Sequence, residues 1–278
     1  DEVLIYDNLS RKNPNLFISE RMPSDKIRFL RGDVLDTRRL RSALDGADIV
    51  YHLAAKVSTP FADADFHGLD QVNHWGTAEL GYLLEERPVQ RLIYLSSTSV
   101  YGASEESVTI DTRPQPKTAY GISKLRGEEM LLRLRDRMPV HIVRCANVYG
   151  YNKSMRFDAV INRFMFDAHF SGRLTLHGSG QQTRAFVHLR NLIACLEGIG
   201  LRGDLPGISN VVERTVSVEE IAGVIDQIYE GLELLYIQQD MRLRNLEVAP
   251  DPRLAVLDCM DSASLSEQLT DFRQQFAF

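Results

Sequence analysis

With 278 residues, 44% hydrophobic and 25% charged, the chain is long enough to bury a full core and close to average usage, which excludes disordered and fibrous classes. Its formal net charge of -6 provides no basic field to attract phosphate backbones, so no nucleic-acid partner is expected. No apolar run approaches the ~20 residues that span a bilayer and no signal-like N-terminus is present, so the reading is a cytoplasmic protein with no membrane partner.

In chain order, Val3 to Tyr6, ending in Asp7, and Lys26 to Leu30, ending in Gly32-Asp33, predict buried strands followed by turns. Thr37 to Leu44 has helical spacing, and Ala47 to Leu53 reads as the next strand. A helix from about Gln71 to Glu86, a strand Arg91 to Ser96, a helix around Tyr120 and a strand Val140 to Cys145 follow. Strands alternating with helices of this length imply βαβ units and a doubly wound, mostly parallel sheet. Past Gly150 the rhythm changes. A helix near Ala159 to Phe170, a strand between Gly172 and Gly178, a strand Arg184 to His188 running into a helix Asn191 to Leu196, and a helix opened by Ser217 and Glu220 as a capping box suggest a smaller α+β lobe. The expected division is a dinucleotide-binding domain over 1–150 and a substrate lobe over 151–278, with some interleaving; the last ~45 residues read as mixed and polar.

The three cysteines, Cys145, Cys195 and Cys259, are odd in number and lie in apolar surroundings, so they read as reduced core residues. The seven histidines lack metal-site spacing, and no metal is expected.

Ligands of open parallel sheets lie beyond the carboxyl ends of the strands. The residues there are Asp7, Asp33, Leu53-Ala54-Ala55-Lys56, Ser96-Ser97-Thr98 and Arg144 to Asn147, small and polar where the strands are apolar. Asp7 either takes both hydroxyls of an adenosine ribose, which favours NAD over NADP, or closes a turn with Asn8 and Ser10. Tyr120 and Lys124 stand four apart on a predicted helix and so share a face. A nearby ammonium stabilises a phenolate and lowers its pKa from ~10 towards the range of a general base; the alternative is a solvated pair on an exposed face.

Asp7-Asn-Leu-Ser10, Gly32-Asp-Val34, His52-Leu-Ala-Ala55, Asn73 with Gly76-Thr77, Ser96-Ser-Thr-Ser-Val-Tyr-Gly102, Tyr120 with Lys124, and Asn147-Val-Tyr-Gly150 fall in one order. Together they resemble the extended short-chain dehydrogenase/reductase family of sugar-nucleotide epimerases and dehydratases, over residues 1 to about 225. The resemblance implies a Rossmann-like sheet and NAD as cofactor. It places Asp7 and Asn8 at the ribose, Asp33 and Val34 at the adenine, and Leu53, Ala54, Ala55, Lys56 and Asn73 beside the rest of the cofactor, with Tyr120 and Lys124 at the nicotinamide. Ser97, Tyr120 and Lys124 take the catalytic positions. A nucleotide-diphosphate sugar is the implied partner, with Thr98, Asn147, Asn162, Leu174, Leu176 and Arg184 facing it, and a homodimer is implied by the same resemblance.

One element of the pattern is missing. The strand and Gly-rich turn that hold a pyrophosphate should stand roughly 20 residues ahead of the ribose acid, so a preceding segment of ~25 to 30 residues is expected. The only Gly-x-Gly-x-x-Gly, Gly198 to Gly203, follows a helix, and its glycines read as helix stops before Pro206.

The implied chemistry is transient oxidation of a sugar hydroxyl, with Tyr120 taking its proton, Ser97 bonding the same oxygen and Lys124 holding the ribose and the phenolate. Thr118 is either a further hydroxyl of the site or a helix cap. The family's dehydratases carry an Asp-Glu pair after the catalytic hydroxyl; Thr98 and Ser99 stand here, which favours epimerisation. Reduction of a ketosugar, or a non-catalytic nucleotide-binding role, are the competing readings. Arg184 matches a phosphate-binding arginine, but Ala185 and Leu189-Arg190-Asn191 replace the family's usual acids, and none of Arg242, Arg244 and Arg253 clearly matches its final arginine.

Overall fold

The structure is a computed structural model and describes residues 2–12, 25–57, 65–104, 106–202, 205, 207–238 and 245–276. The chain is a mixed α/β protein whose residues group into two compact units, 1–96 with 118–142 and 97–117 with 143–278.

In the first unit β1 (Val3–Asp7) runs parallel to β2 (Ile27–Arg31), Val3 opposite Ile27 and Asp7 opposite Arg31. Their apolar sequences predict burial, yet β1 is mostly exposed, Val3 by 48%. The physical reason is pairing: among the described strands β1 bonds only to β2. After α1 (Thr37–Ala43), β3 (Ile49–His52) and β4 (Arg91–Ser97) form a second parallel pair, with β5 (Val140–Cys145) next to β4. Every residue of β5 is buried, as expected of a strand covered on both faces. The crossover from β3 to β4 starts earlier than its periodicity suggests: α2 (Phe66–Leu69) runs through a six-residue π-helical stretch, Asp70–Trp75, into α3 (Gly76–Glu86). Leu80, Leu83 and Leu84 of α3 are buried, as is Leu131 of α4 (Ala119–Leu132), against which α3 packs.

The second unit opens with a 3-10 turn, Thr98–Tyr101. In it β8 (Thr183–His188) lies between β6 (Asn147–Tyr149), which is parallel to it, and β10 (Arg214–Ser217), which is antiparallel. A further parallel pair joins β7 (Arg173–His177) to β11 (Glu233–Ile237). Among the described residues it also holds the helices α5 (Val160–Ser171), α6 (Leu189–Leu201), α7 (Val218–Ile228) and α8 (Leu265–Gln274), and β9 (Ile208–Val211). Ile161, Phe164, Leu176, Ile221 and Leu269 share its apolar core. The expected capping box at Ser217 and Glu220 is present, and a second, at Ser264 and Glu267, starts α8 inside the stretch read as mixed and polar.

Two readings are corrected. Gly198 and Gly200 do not stop a helix; both lie inside α6, which continues to Leu201 because a short 3-10 segment, Pro252–Leu257, packs on it. A Cβ at Gly198 would come 3.0 Å from Leu257 Cδ2, so the glycine serves close packing. Gly203 and Pro206, the other parts of that reading, lie outside the described residues, as do Arg242 and Arg244. Cys195 and Cys259 are not reduced: they form a disulfide, while Cys145 is buried and free. Their 64-residue separation hides a Cα–Cα approach of 5.1 Å that the packing of the 3-10 segment on α6 creates. No helix among the described residues is long and apolar enough to cross a membrane.

Candidate active site

The Tyr120 helix begins at Thr118, whose hydroxyl accepts the Gly121 N–H at 3.0 Å and so takes the capping role. One turn separates Tyr120 from Lys124, and Lys124 is only 2% exposed. Its ammonium sits 4.3 Å from the centroid of the Tyr94 ring on β4, a cation over an aromatic face in a desolvated place. The imidazole of His52, at the end of β3, stacks on Tyr94 with centroids 5.3 Å apart. Burial, and then the Lys124 charge, lower the His52 pKa to about 3, so its ring is neutral at ordinary pH. Burial likewise pushes the Tyr94 phenol far above its usual value, so it stays protonated.

The neutral ring is part of a longer chain of bonds. Thr77 gives its hydroxyl proton to the Asn73 carbonyl at 2.7 Å, so at 2.8 Å from His52 Nε2 it accepts, which assigns the proton to that nitrogen. Asn73 lies in the π-helical stretch and is fully buried. Its Oδ1 accepts the Lys56 N–H at 2.7 Å, and its Nδ2 donates to the Lys56 carbonyl at 2.8 Å and to Ser123 Oγ at 3.0 Å. Ser123 in turn donates to the Tyr120 carbonyl at 2.8 Å. The wider π turn is thus used to reach both the Lys56 backbone and the first turn of α4, a setting in which such turns recur at functional sites. The Lys56 ammonium pairs with Asp65, the cap of α2.

At the ends of β1 and β2, Asn8 donates to Asp33 Oδ2 at 2.7 Å, and Tyr6 donates to the Asp33 carbonyl at 2.8 Å. Asp7 accepts the Leu9 N–H at 2.6 Å and Asn8 the Ser10 N–H at 2.9 Å, bonds that close a turn after β1. Val34 is buried, its Cγ2 2.5 Å from where a Cβ on Gly76 would stand. Leu53 is exposed, and Ala54 and Ala55 are half-buried.

In the second unit, Ser97 Oγ accepts both the N–H of Ser99, at 3.2 Å, and its hydroxyl, at 2.8 Å, which leaves the Ser97 proton to donate. Thr98 is buried. Asn147 donates to the Ala185 carbonyl at 3.0 Å, and Asn162 accepts the Gly150 N–H at 3.1 Å while donating to the Arg156 carbonyl at 3.1 Å. Leu174 and Leu176 are wholly buried in the core, so only the backbone of β7 could meet a base. Arg184 donates to the Thr183 carbonyl at 2.7 Å, and burial lowers its pKa. Tyr94, Thr77, Ser123 and the role of His52 went unread in the sequence; His52 and Thr77 do stand within ordered motifs, which is the signal that was available.

A family model described as the NAD dependent epimerase/dehydratase family matches residues 1–202. An uncharacterised UDP-glucose epimerase, YtcB of Bacillus subtilis (strain 168), is 29% identical over 181 residues, 64% of this chain and 55% of that protein. The dTDP-D-glucose 4,6-dehydratase of Mus musculus is 29% identical over 189 residues, 66% of this chain and 53% of that one. The chain spans about half the length of these curated relatives. Among solved structures, MoeE5 in complex with UDP-glucose and NAD superimposes with a TM-score of 0.81 at 25% identity, covering 99% of this chain and 98% of that one.

Proposed function

The chain belongs to the NAD-dependent epimerase/dehydratase family, and on that premise we propose that it is a sugar-nucleotide epimerase acting by transient oxidation of a sugar hydroxyl. The observation that carries this reading is the Tyr120 turn of α4, capped by Thr118, tied through Ser123 to Asn73 and followed one turn later by the buried cation of Lys124. NAD, when bound, supplies a hydride acceptor that returns what it takes. The residues present suit that cofactor: Asp7, Asn8 and Asp33 offer acceptors for ribose hydroxyls at the ends of β1 and β2, and Lys124 is a donor for the other ribose.

In this mechanism Tyr120, as phenolate, takes the proton of the sugar hydroxyl, and Lys124 stabilises the phenolate. Ser97 donates to the same oxygen as it gains carbonyl character. Removing water from the sugar would need an acid and a base after Ser97. Thr98 and Ser99 are hydroxyls that cannot serve as that acid or base near neutrality, which favours epimerisation over loss of water. Arg184 is assigned to the diphosphate and Asn147 to its neighbourhood. A homodimer through α3 and α4 is assigned by the family resemblance alone, and light scattering of the purified protein would measure it; a monomeric mass would overturn it.

The test uses UDP-glucose, carried by MoeE5, and dTDP-glucose as probes, with products resolved by NMR. An epimer formed without net change in cofactor redox state is expected. A 4-keto-6-deoxy sugar would overturn epimerisation in favour of dehydration, and steady consumption of added NADH with a keto sugar would make the enzyme a reductase. Tyr120→Phe should lower kcat by roughly 10² to 10⁴-fold; unchanged turnover in that variant removes the phenolate from the mechanism.

A further inference from the structure

Lys124 is almost wholly buried, one turn after Tyr120 on α4. We propose that Tyr94 is the positioning residue for Lys124, its ring face fixing the ammonium one turn from Tyr120. The proposal rests on the reading of Tyr120 and Lys124 as a proton-transfer pair, and it extends that reading to a residue on a different element.

The geometry is a layered stack. The ammonium lies 4.3 Å from the ring centroid, and the His52 imidazole stacks on the same ring at 5.3 Å with the planes 23° apart. The ring cannot drift. A Cβ at Gly127 of α4 would fall 2.5 Å from the Tyr94 hydroxyl, so the helix meets the phenol where only a glycine fits. His52 is fastened by Thr77, Thr77 by Asn73, and Asn73 by the Lys56 backbone and Ser123, so every layer is tied to the loop after β3 or to α4. Because the imidazole stays neutral, no second positive charge opposes the ammonium through the ring. The ionisable groups about the stack are Tyr120 and Glu128 from α4 and His52 from β3, with Glu128 accepting the Ser96 hydroxyl at 2.5 Å. From the π-helical stretch, Asp70 pairs with Arg126 and His74.

A tyrosine that merely filled the core would also be buried here, so the test separates filling from positioning. Tyr94→Phe keeps the ring face; Tyr94→Leu removes it. In protein with ¹³C-labelled lysine, the ε-methylene of Lys124 should show an upfield ring-current shift, assigned by its loss in Lys124→Arg. That shift should survive in Tyr94→Phe and vanish in Tyr94→Leu. With UDP-glucose as substrate, Tyr94→Leu should also move the acid limb of the kcat profile up by about one pH unit, because a displaced ammonium stabilises the phenolate less. KM should change less than kcat, and Tyr94→Phe should leave the profile in place.

A Lys124 signal with no ring-current shift in the parent protein, or the same shift retained in Tyr94→Leu, overturns the proposal. Equal displacement of the two pH profiles overturns it as well. An enzyme inert towards UDP-glucose would count against the epimerase reading alone, since the lysine signal still decides whether Tyr94 seats the ammonium.

Discussion

Each unit buries a charged group inside a polar assembly, and the two assemblies are built on different terms. In the second, the Glu213 carboxylate accepts the His188 N–H at 2.8 Å, Asn191 Nδ2 at 2.9 Å and Gln268 Nε2 at 2.8 Å, and pairs with the guanidinium of Arg214. Arg214 also donates to the Ala263 carbonyl at 2.8 Å. Opposite charges and matched donors therefore meet at one point and fasten β8, α6 and β10 to the start of α8. In the first unit the Lys124 ammonium is laid on an aromatic face with a neutral imidazole behind it. The Glu213 arrangement uses its electrostatics to hold the chain; the Lys124 arrangement sits beside a helix turn whose tyrosine is proposed to change its protonation. Perturbed groups gather at both kinds of place, so the partners of a buried charge tell more about its use than its burial does.

The largest effect that would break this contrast is expected from Glu213→Leu. It strands Arg214 and leaves three donors without their acceptor, a change of the class that costs about 3–5 kcal/mol. Equilibrium urea unfolding would measure it, and a loss below ~1 kcal/mol would remove the structural role assigned to this assembly.

Next is the disulfide, also in the second unit. Closing 64 residues between Cys195 and Cys259 removes unfolded-state entropy worth about 4 kcal/mol in the chain-entropy account. Cys195→Ser, or reductant, should lower the unfolding midpoint accordingly. If reductant leaves the parent protein's midpoint and thiol count unchanged, the bond is absent in solution.

A smaller effect belongs to the first unit. His52 is neutral when folded, with its pKa lowered to about 3, and gains a proton near ~6.5 when unfolded. Below ~6.5 the unfolded chain binds a proton that the folded chain refuses. Stability is therefore lost as pH falls, by up to about 1.4 kcal/mol per pH unit, until the folded value is reached. Replacing His52 with Gln should flatten that slope when urea midpoints are compared between pH ~6.5 and ~4; a slope equal to the parent's would mean that another group carries it.

What could be read in the sequence follows the distance over which each feature is determined. The helix that carries Tyr120 and Lys124, the Thr118 cap and the Ser217 box are each set by local spacing, and the helix, the cap and the box are all present. The strand Val140–Cys145 is legible from its apolar run for the same reason. Tyr94 lies 30 positions from Lys124 and Cys195 lies 64 from Cys259, and no local rule connects either pair. Gly198 shows a local rule overruled: glycine ends helices when nothing else decides, and here the packing of Leu257 decides. The exposure of β1 is equally non-local, since an apolar run states what would be buried by a neighbour and not which neighbour is there.

The smallest predicted effect sharpens the contrast most directly, because the same local device occurs in both units. Ser217 accepts the Glu220 N–H at 3.0 Å and Thr118 the Gly121 N–H at 3.0 Å, so each removes one orphan donor from the first turn of its helix. Substituting either with alanine should cost about 1 kcal/mol in urea unfolding. The two should part in turnover. The first turn of α7 carries Glu219 and Glu220 and no proposed chemistry, so Ser217→Ala should leave kcat as it was. The first turn of α4 carries Tyr120, whose carbonyl is the anchor for Ser123, and fraying there displaces the phenol relative to Lys124. Thr118→Ala should then lower kcat by roughly tenfold, within what a small misplacement of a reacting group costs, with KM little changed. Equal kcat in the two variants would mean that α4 holds its first turn without the cap, and that the bonds from Asn73 through Ser123 suffice to keep Tyr120 in place.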